Sequence, residues 1–281
     1  VSGTNLFAGT QGGGVYLSTN NGTSWTAVNT GLASKEVFSF AVSPAGGETG
    51  GTNVFAGTNG GVFLSTDSGA NWNPVNTGLK TTFVWALAVS GTNLFAGTDS
   101  GAFVSTNSGQ SWTAVDVGPG WGHIVHAFAV SGTNLFAGTR EEGVFLSTND
   151  GAKWTVVNTG LTNTTVHAFA VSGTNLFAVT TGNYSFYSGS RIFLSSDNGA
   201  SWAAVNALSP KMIANTLVVV SAAGGAGGTN VFAGTREGVL LSTNNGTTWA
   251  EVNSGLSNLD IRALAVRGTN LFAGTYGGGV F

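Results

Sequence analysis

An all-β architecture of about seven repeated sheets is expected for this chain on three observations. The segment G-T-N-[LV]-F-A recurs seven times, beginning at Gly3, Gly51, Gly91, Gly132, Gly173, Gly228 and Gly268, so the unit is near forty residues with two longer intervals. Between the copies lie short runs rich in Val, Phe, Leu and Thr, punctuated by Gly, Asn and Asp, the usual alternation of strand and turn. No stretch carries an amphipathic helix of ten or more residues. A period of roughly 40–50 residues holding several short strands belongs to β-propellers, not to helical solenoids.

Each unit reads as four strands. The first is V-x-A-[FL]-A-V-S, as in Val84 to Ser90, Val125 to Ser131 and Val166 to Ser172. In it small residues (Ala86, Ala88; Ala127, Ala129; Ala168, Ala170) alternate with large ones (Leu87, Val89; Phe128, Val130; Phe169, Val171). A sheet buried on both faces needs this, because the small face admits a neighbour's large side chains. The second strand is N-L-F-A-G-T, the third G-V-F-L-S-T and the fourth W-T-x-V-N. The two ends of the chain repeat the same portion of the unit, VSGTNLFAGTQGGGVY at residues 1–16 and VRGTNLFAGTYGGGVF at 266–281. In a six-bladed ring both would claim one place. Seven blades are therefore expected, six being the alternative, with the first blade lacking its inner strand and the last its outer strand. The 281 residues are expected to form one propeller domain, itself a fragment of a longer chain.

Composition narrows the function classes. A hydrophobic content of 42% supports a sizeable core despite 45 glycines. The net charge of −3 is the wrong sign for the basic stripe that displaces counterions from nucleic acid, so no nucleic-acid partner is expected. No run approaches the ~18 apolar residues of a membrane helix. The absence of cysteine rules out disulfides and zinc–thiolate sites. A surface of Thr, Ser, Asn and Gly, with little Lys or Glu, favours a secreted or cell-surface protein of bacterial origin.

Between the third and fourth strands lies S-x-[DN]-x-G-x-x-W. It runs from Ser18 to Trp25, Ser65 to Trp72, Ser105 to Trp112, Ser147 to Trp154, Ser195 to Trp202 and Ser242 to Trp249. Six such octamers in register resemble the Asp-box (BNR) repeat of sialidases, xyloglucanases, sortilin-type receptors and photosystem II assembly factors. The motif chemistry is structural. The Asx side chain accepts hydrogen bonds from the amides of the following turn, Gly supplies a positive φ, and Trp caps the apolar layer between blades. The Asx is Asp at Asp67 and Asp197 but Asn at Asn20, Asn107, Asn149 and Asn244, which suits a turn and not a catalytic carboxylate.

The resemblance implies that the octamers share one rim and that ligands meet the opposite one, formed by the loops joining strands two and three and by blade-to-blade loops. On this chain those loops hold Gln11, Asn59, Asp99, Arg140-Glu141-Glu142, Arg236-Glu237 and Tyr276, with Lys35-Glu36, Lys80, Lys211 and Asp260. Residues that break the repeat are the binding candidates. Trp121 and His123 lie in a Gly/Pro-flanked loop; Tyr184 and Tyr187 lie in an insertion of the fifth unit. Arg140 and Arg236 are each followed by Glu, so local ion pairing competes with ligand binding. Trp85 takes a strand position filled elsewhere by Phe38, His126, His167 and Arg262. A metal site needs three or four converging ligands, which the three histidines do not clearly provide, so no metal and no cofactor are expected.

A sialidase-like site would need an arginine triad, a Tyr/Glu pair and an acid Asp, and no N-terminal arginine motif of that type is present. A xyloglucanase-like site would need two carboxylates across a cleft. The expectation is a non-catalytic extracellular module that binds a glycan or a protein through its loop face. A self-associating structural module is the first alternative and a glycoside hydrolase the second.

Overall fold

A computed structural model describes residues 3–44, 52–118, 124–182, 190–205, 213–221 and 229–281. Trp121, His123, Tyr184, Tyr187 and Lys211 lie outside the described residues. Among the described residues every regular element is a strand. The first sheet holds β1 (Leu6–Gly9), β2 (Val15–Ser18) and β3 (Thr26–Ala27). The second holds β4 (Val37–Pro44), β5 (Thr52–Thr58), β6 (Gly61–Ser65) and β7 (Asn73–Pro74). The third holds β8 (Val84–Ser90), β9 (Asn93–Thr98), β10 (Gly101–Ser105) and β11 (Thr113–Val115). The fourth holds β12 (Val125–Ser131), β13 (Asn134–Thr139), β14 (Val144–Ser147) and β15 (Thr155–Val156). The fifth holds β16 (Thr165–Ser172), β17 (Asn175–Thr181), β18 (Arg191–Ser195) and β19 (Ala203–Ala204). The sixth holds β20 (Ala214–Ser221), β21 (Thr229–Thr235), β22 (Gly238–Ser242) and β23 (Ala250–Glu251). The seventh holds β24 (Ile261–Arg267), β25 (Asn270–Thr275) and β26 (Gly279–Val280).

Each sheet is an antiparallel meander, and the fold is the seven-bladed β-propeller that the repeat predicts. The first sheet begins at the unit's second strand and the last ends at its third. Fourth strands are only two or three residues long, shorter than W-T-x-V-N implies, because the octamer tryptophan stays in the turn.

The chain divides into two compact units, Val1–Leu135 with Ser147–Trp154, and Phe136–Leu146 with Thr155–Phe281. In the first unit one cluster packs Val15, Leu32, Val37, Val54, Ala56, Phe63 and Trp72, and a second packs Ala41, Phe55, Val62, Val84, Leu94, Ala96, Phe103 and Trp112. In the second unit Phe177, Val179, Ile192, Leu217, Val231 and Leu240 do the same work. Large side chains of one sheet meet Ala and Gly of the next. A Cβ at Gly97 would lie 2.6 Å from the Val125 carbonyl oxygen, and one at Gly138 would lie 2.6 Å from a Val166 methyl. Packing between sheets thus favours glycine at these two positions, whereas the fifth unit holds Val179 there, buried in a cluster with Ala214.

Candidate functional site

The octamer is a closed hydrogen-bond unit. In all six copies the buried Ser hydroxyl donates to the Asx Oδ1 at 2.7–3.0 Å and accepts from the Gly amide at 2.7–2.9 Å. The same Oδ1 accepts the amide four residues on at 2.9 Å. The residue before each Gly is also left-handed (Asn21, Ser68, Ser108, Asp150, Asn198 and Asn245, φ 53–60°), a conformation that Asn, Asp and Gly tolerate best. At Asp197 the Ser201 hydroxyl and amide, with the Ser195 hydroxyl, hold the carboxyl down to about 2; bonds from Asn71 push Asp67 the same way. Both carboxylates are committed to their turns.

A second motif, not recognised from sequence, receives the tryptophan. After the fourth strand comes N-T-G-L: Asn29 to Leu32, Asn76 to Leu79, Asn158 to Leu161, and in the variant N-S-G-L, Asn253 to Leu256. Its Asn Oδ1 accepts the amide of Val15, Val62, Val144 or Val239 at 2.7–2.8 Å, tying it to its own third strand. Its Thr carbonyl accepts the backbone amide of the next octamer's tryptophan, Trp72, Trp112 or Trp202, at 2.8 Å. The indole Nε1 of those three donates to Val28, Val75 and Val157 carbonyls at 2.8, 2.7 and 2.8 Å. Where the preceding motif is altered the indole turns inward. Trp154 follows Asp116-Val117-Gly118 and Trp249 follows Asn206-Ala207-Leu208, and each donates to its own turn glycine, Gly151 or Gly246, at 3.0 Å. The buried Nε1 of Trp25 has no partner among the described residues.

The variable chemistry lies at the opposite end of each sheet. In the third sheet Leu94 pairs with Ser105, where the octamer begins, whereas Thr98 pairs with both Val84 and Gly101. Four residues at ~3.3 Å each place these ends roughly 13 Å apart. At the Thr98 end the first strand carries a bulge, between Val37 and Ser39, Val84 and Ala86, Val166 and Ala168, Ala214 and Thr216, and Ile261 and Ala263. The residue inside each bulge is Phe38, Trp85, His167, Asn215 or Arg262, the position that varies. Bulges re-aim a side chain out of the pleat, so the scaffold repeats while this residue is free to differ.

Three of these five bulge residues, Trp85, His167 and Arg262, meet the residue that follows the second strand's threonine, fourteen positions on. Trp85 Nε1 donates to Asp99 Oδ1 at 2.5 Å. His167 Nε2 lies 2.8 Å from Thr181 Oγ1, and burial pushes this imidazole below its ordinary value. Arg262 sits 5.1 Å from the Tyr276 ring centroid and pairs with Asp260 at 2.7 Å. Asn215 donates instead to the Ile261 carbonyl at 2.7 Å.

The first unit concentrates aromatic rings at this end. Trp85 lies 4.7 Å from Phe38 and 5.8 Å from Phe83, and the two phenylalanines are 6.4 Å apart, all with planes within 35° of one another. His126 meets the indole edge-on at 5.6 Å. Phe83 is 38% exposed, unusual for so large an apolar ring, while Phe38, Trp85, His126 and Asp99 are half-buried. Beside them, Asn59 donates to Glu36 at 2.7 Å and accepts from Ser34. Gln11 bridges Glu36 through the backbone.

Of the sequence candidates, Trp85 stands at the centre of this cluster. Arg140 and Arg236 are exposed, their loops held by the Arg140 carbonyl accepting from Thr165 and the Arg236 amide donating to Ile213. Trp121, His123, Tyr184 and Tyr187 lie outside the described residues. Phe83 precedes the V-x-A pattern and each bulge pair joins a strand residue to a loop residue, so the repeat pattern marks neither. The shared spacing of fourteen in three units, from 85 to 99, 167 to 181 and 262 to 276, is the signal the sequence carries.

No family model matches the chain, and no curated protein does. Solved structures are similar to it. The GH74 xyloglucanase from Xanthomonas campestris aligns over 99% of this chain at 16% identity with a TM-score of 0.77, but only 49% of that enzyme is covered. PorZ, a surface component of the type-IX secretion system of Porphyromonas gingivalis, aligns over 100% at 18% identity and TM-score 0.70, with 45% of PorZ covered. YCF48 bound to D1 peptide aligns over 81% at 16% identity and TM-score 0.59, with 73% covered. The chain thus spans about half the length of the xyloglucanase and of PorZ. Likeness at these identities establishes a shared propeller fold.

Proposed function

We propose that this chain is a non-catalytic, Asp-box type binding propeller, secreted or held at a bacterial surface, that takes a glycan on the Phe38–Phe83–Trp85 platform. The observation carrying this reading is the partly exposed aromatic cluster with the Asp99 carboxylate fixed beside it. A pyranose ring presents C–H bonds on one face and hydroxyls at its edge. The C–H face stacks on the π-electron face of the rings, and the second oxygen of Asp99 is left to accept a hydroxyl while the indole holds the first. The carboxylates of Asp67 and Asp197 serve their turns and Asp260 serves Arg262, which supports binding over hydrolysis.

The test is a glycan array probed with the chain and with Trp85→Ala and Phe83→Ala. Saturable binding that falls at least about tenfold in both variants, each retaining its circular dichroism spectrum, is the expected result. Binding indifferent to both changes would overturn the proposal, as would turnover of aryl β-glycosides or xyloglucan abolished by Asp99→Asn. A protein segment is the second reading, favoured by the similarity to YCF48, whose structure is of a D1-peptide complex. Peptide capture without glycan binding would replace the first.

A further inference from the structure

Three carboxylates among the described residues are half-buried, those of Glu36, Asp99 and Asp260, and each stands at the bulged end of its sheet. Their partners differ. Asp260 is neutralised by Arg262 at 2.7 Å. The Asp99 carboxylate has only the neutral indole N–H of Trp85, on Oδ1, and the Glu36 carboxylate only the neutral side-chain amide of Asn59, on Oε2 at 2.7 Å. Neither forms an ion pair among the described residues, and Lys35 and Lys80, on the adjoining loops, are exposed. Asp99 Oδ2 accepts no hydrogen bond from the described residues and is not among their buried unpaired atoms, so it is open to solvent.

The rings beside Asp99 carry the same sign of field. Each has a negative π face, and the centroids of Phe38, Phe83 and Trp85 lie 4.7–6.4 Å apart. A carboxylate without a counter-ion next to such faces attracts cations and repels anions. Because the indole edge holds Oδ1, Oδ2 is fixed at the rim of the same ring, where an equatorial substituent of a sugar stacked on that ring points. A hydroxyl there makes a bond in which only the acceptor is charged. An ammonium makes one in which both partners are charged, and it gains the ring faces as well.

Given the glycan reading above, on which this rests, we propose that the ligand of the Phe38–Phe83–Trp85 platform is an amino sugar with its amine free, a de-N-acetylated hexosamine unit, and that Asp99 selects it. The C–H face of the pyranose lies on the rings and its C2 ammonium donates to Asp99 Oδ2. Glu36, on the neighbouring sheet's side of Phe38 in the chain, adds to the negative potential. N-acetylation removes the charge and sets an acyl group where the ammonium stood. A uronic or sialic acid brings a carboxylate into a field of its own sign, so acidic glycans are rejected.

The test is isothermal titration calorimetry of the full chain with a β-1,4-linked glucosamine hexamer and with its fully N-acetylated counterpart, which share backbone and length. The free-amine oligomer should bind at least about tenfold more tightly, an advantage that narrows as sodium chloride is raised. Asp99→Asn keeps an acceptor for the indole N–H and removes the charge, so it should bring the two oligomers to similar affinity. An unchanged near-ultraviolet circular dichroism spectrum checks that Trp85 keeps its setting in this variant. Hexalysine carries similar charge without a pyranose face and should not displace the bound oligomer. Equal affinity for the two oligomers, a preference that survives Asp99→Asn, or displacement by hexalysine would overturn this inference and leave the glycan reading standing. Binding of neither oligomer, with saturable binding of neutral or acidic glycans on the array, would do the same, whereas binding to no glycan at all would remove both.

Discussion

The tryptophan hydrogen bond across sheets can be isolated by replacing the indole N–H with sulfur. Benzothienylalanine keeps the shape of tryptophan and removes only the donor, so it perturbs the bond and not the packing. At position 72 the lost bond is Nε1 to the Val28 carbonyl at 2.8 Å, in a side chain that is 2% exposed. A net hydrogen bond is worth about 0.5–1.5 kcal/mol, and an acceptor left unpaired in a buried setting costs about 1–3 kcal/mol. Val28 is half-buried, so a loss of about 1–2 kcal/mol is expected. That corresponds to a melting shift of roughly 2–8 °C for a chain of this size. At position 25 the N–H is buried without a partner among the described residues, so the same replacement should leave stability unchanged or slightly raised. Urea titrations at constant m-value, with melting by circular dichroism, read the difference. Equal destabilisation at 25 and 72 would refute the assignment of the Val–Trp bond as a specific tie between sheets.

Other outcomes follow from the same geometry. Gly78→Ala and Gly160→Ala combine a positive φ (+91° and +84°) with a Cβ 2.2 or 2.1 Å from a tryptophan carbonyl, and should cost about 3 kcal/mol or more in urea unfolding. Gly91→Ala and Gly132→Ala share the left-handed backbone but have open space around the Cβ, so about 1–2 kcal/mol is expected from strain alone. For Asp197, whose folded pKa is depressed to about 2 from 3.8, the carboxylate's contribution is full above 3.8 and lost as pH falls through about 2. Carboxyl NMR titration should find its midpoint near that value, and Asp197→Asn should flatten this part of the acid-unfolding curve. A midpoint near 3.8 would dissolve the turn's claim on the charge.

The repeat and its strand order were legible because they rest on local rules. Alternating Val, Phe and Ala can only be strands packed on two faces, and S-x-[DN]-x-G-x-x-W closes its own turn with side chains no more than four residues apart. Even the three-stranded first and last sheets follow from which portion of the unit stands at each end. The candidate site was legible only in pieces: Trp85 and its counterparts on one side, Asp99, Arg140, Arg236 and Tyr276 on the other. Neither set shows that Trp85 donates to Asp99, or that Phe83 joins Phe38 and the indole.

Those facts come from the bulge at the start of the first strand and from the antiparallel register, which turn fourteen residues of separation into a side-by-side pair. The use of N-T-G-L as a receiver for the next unit's tryptophan is likewise tertiary, since its carbonyls have meaning only once a neighbouring sheet brings an indole to them. By itself the chain's sequence determined seven sheets, their internal strand order and six self-contained turns, because hydrogen bonds between near neighbours decide all of these. Tertiary structure alone decided which side chains share a surface, because that depends on contacts between residues that nothing in their spacing obliges to meet.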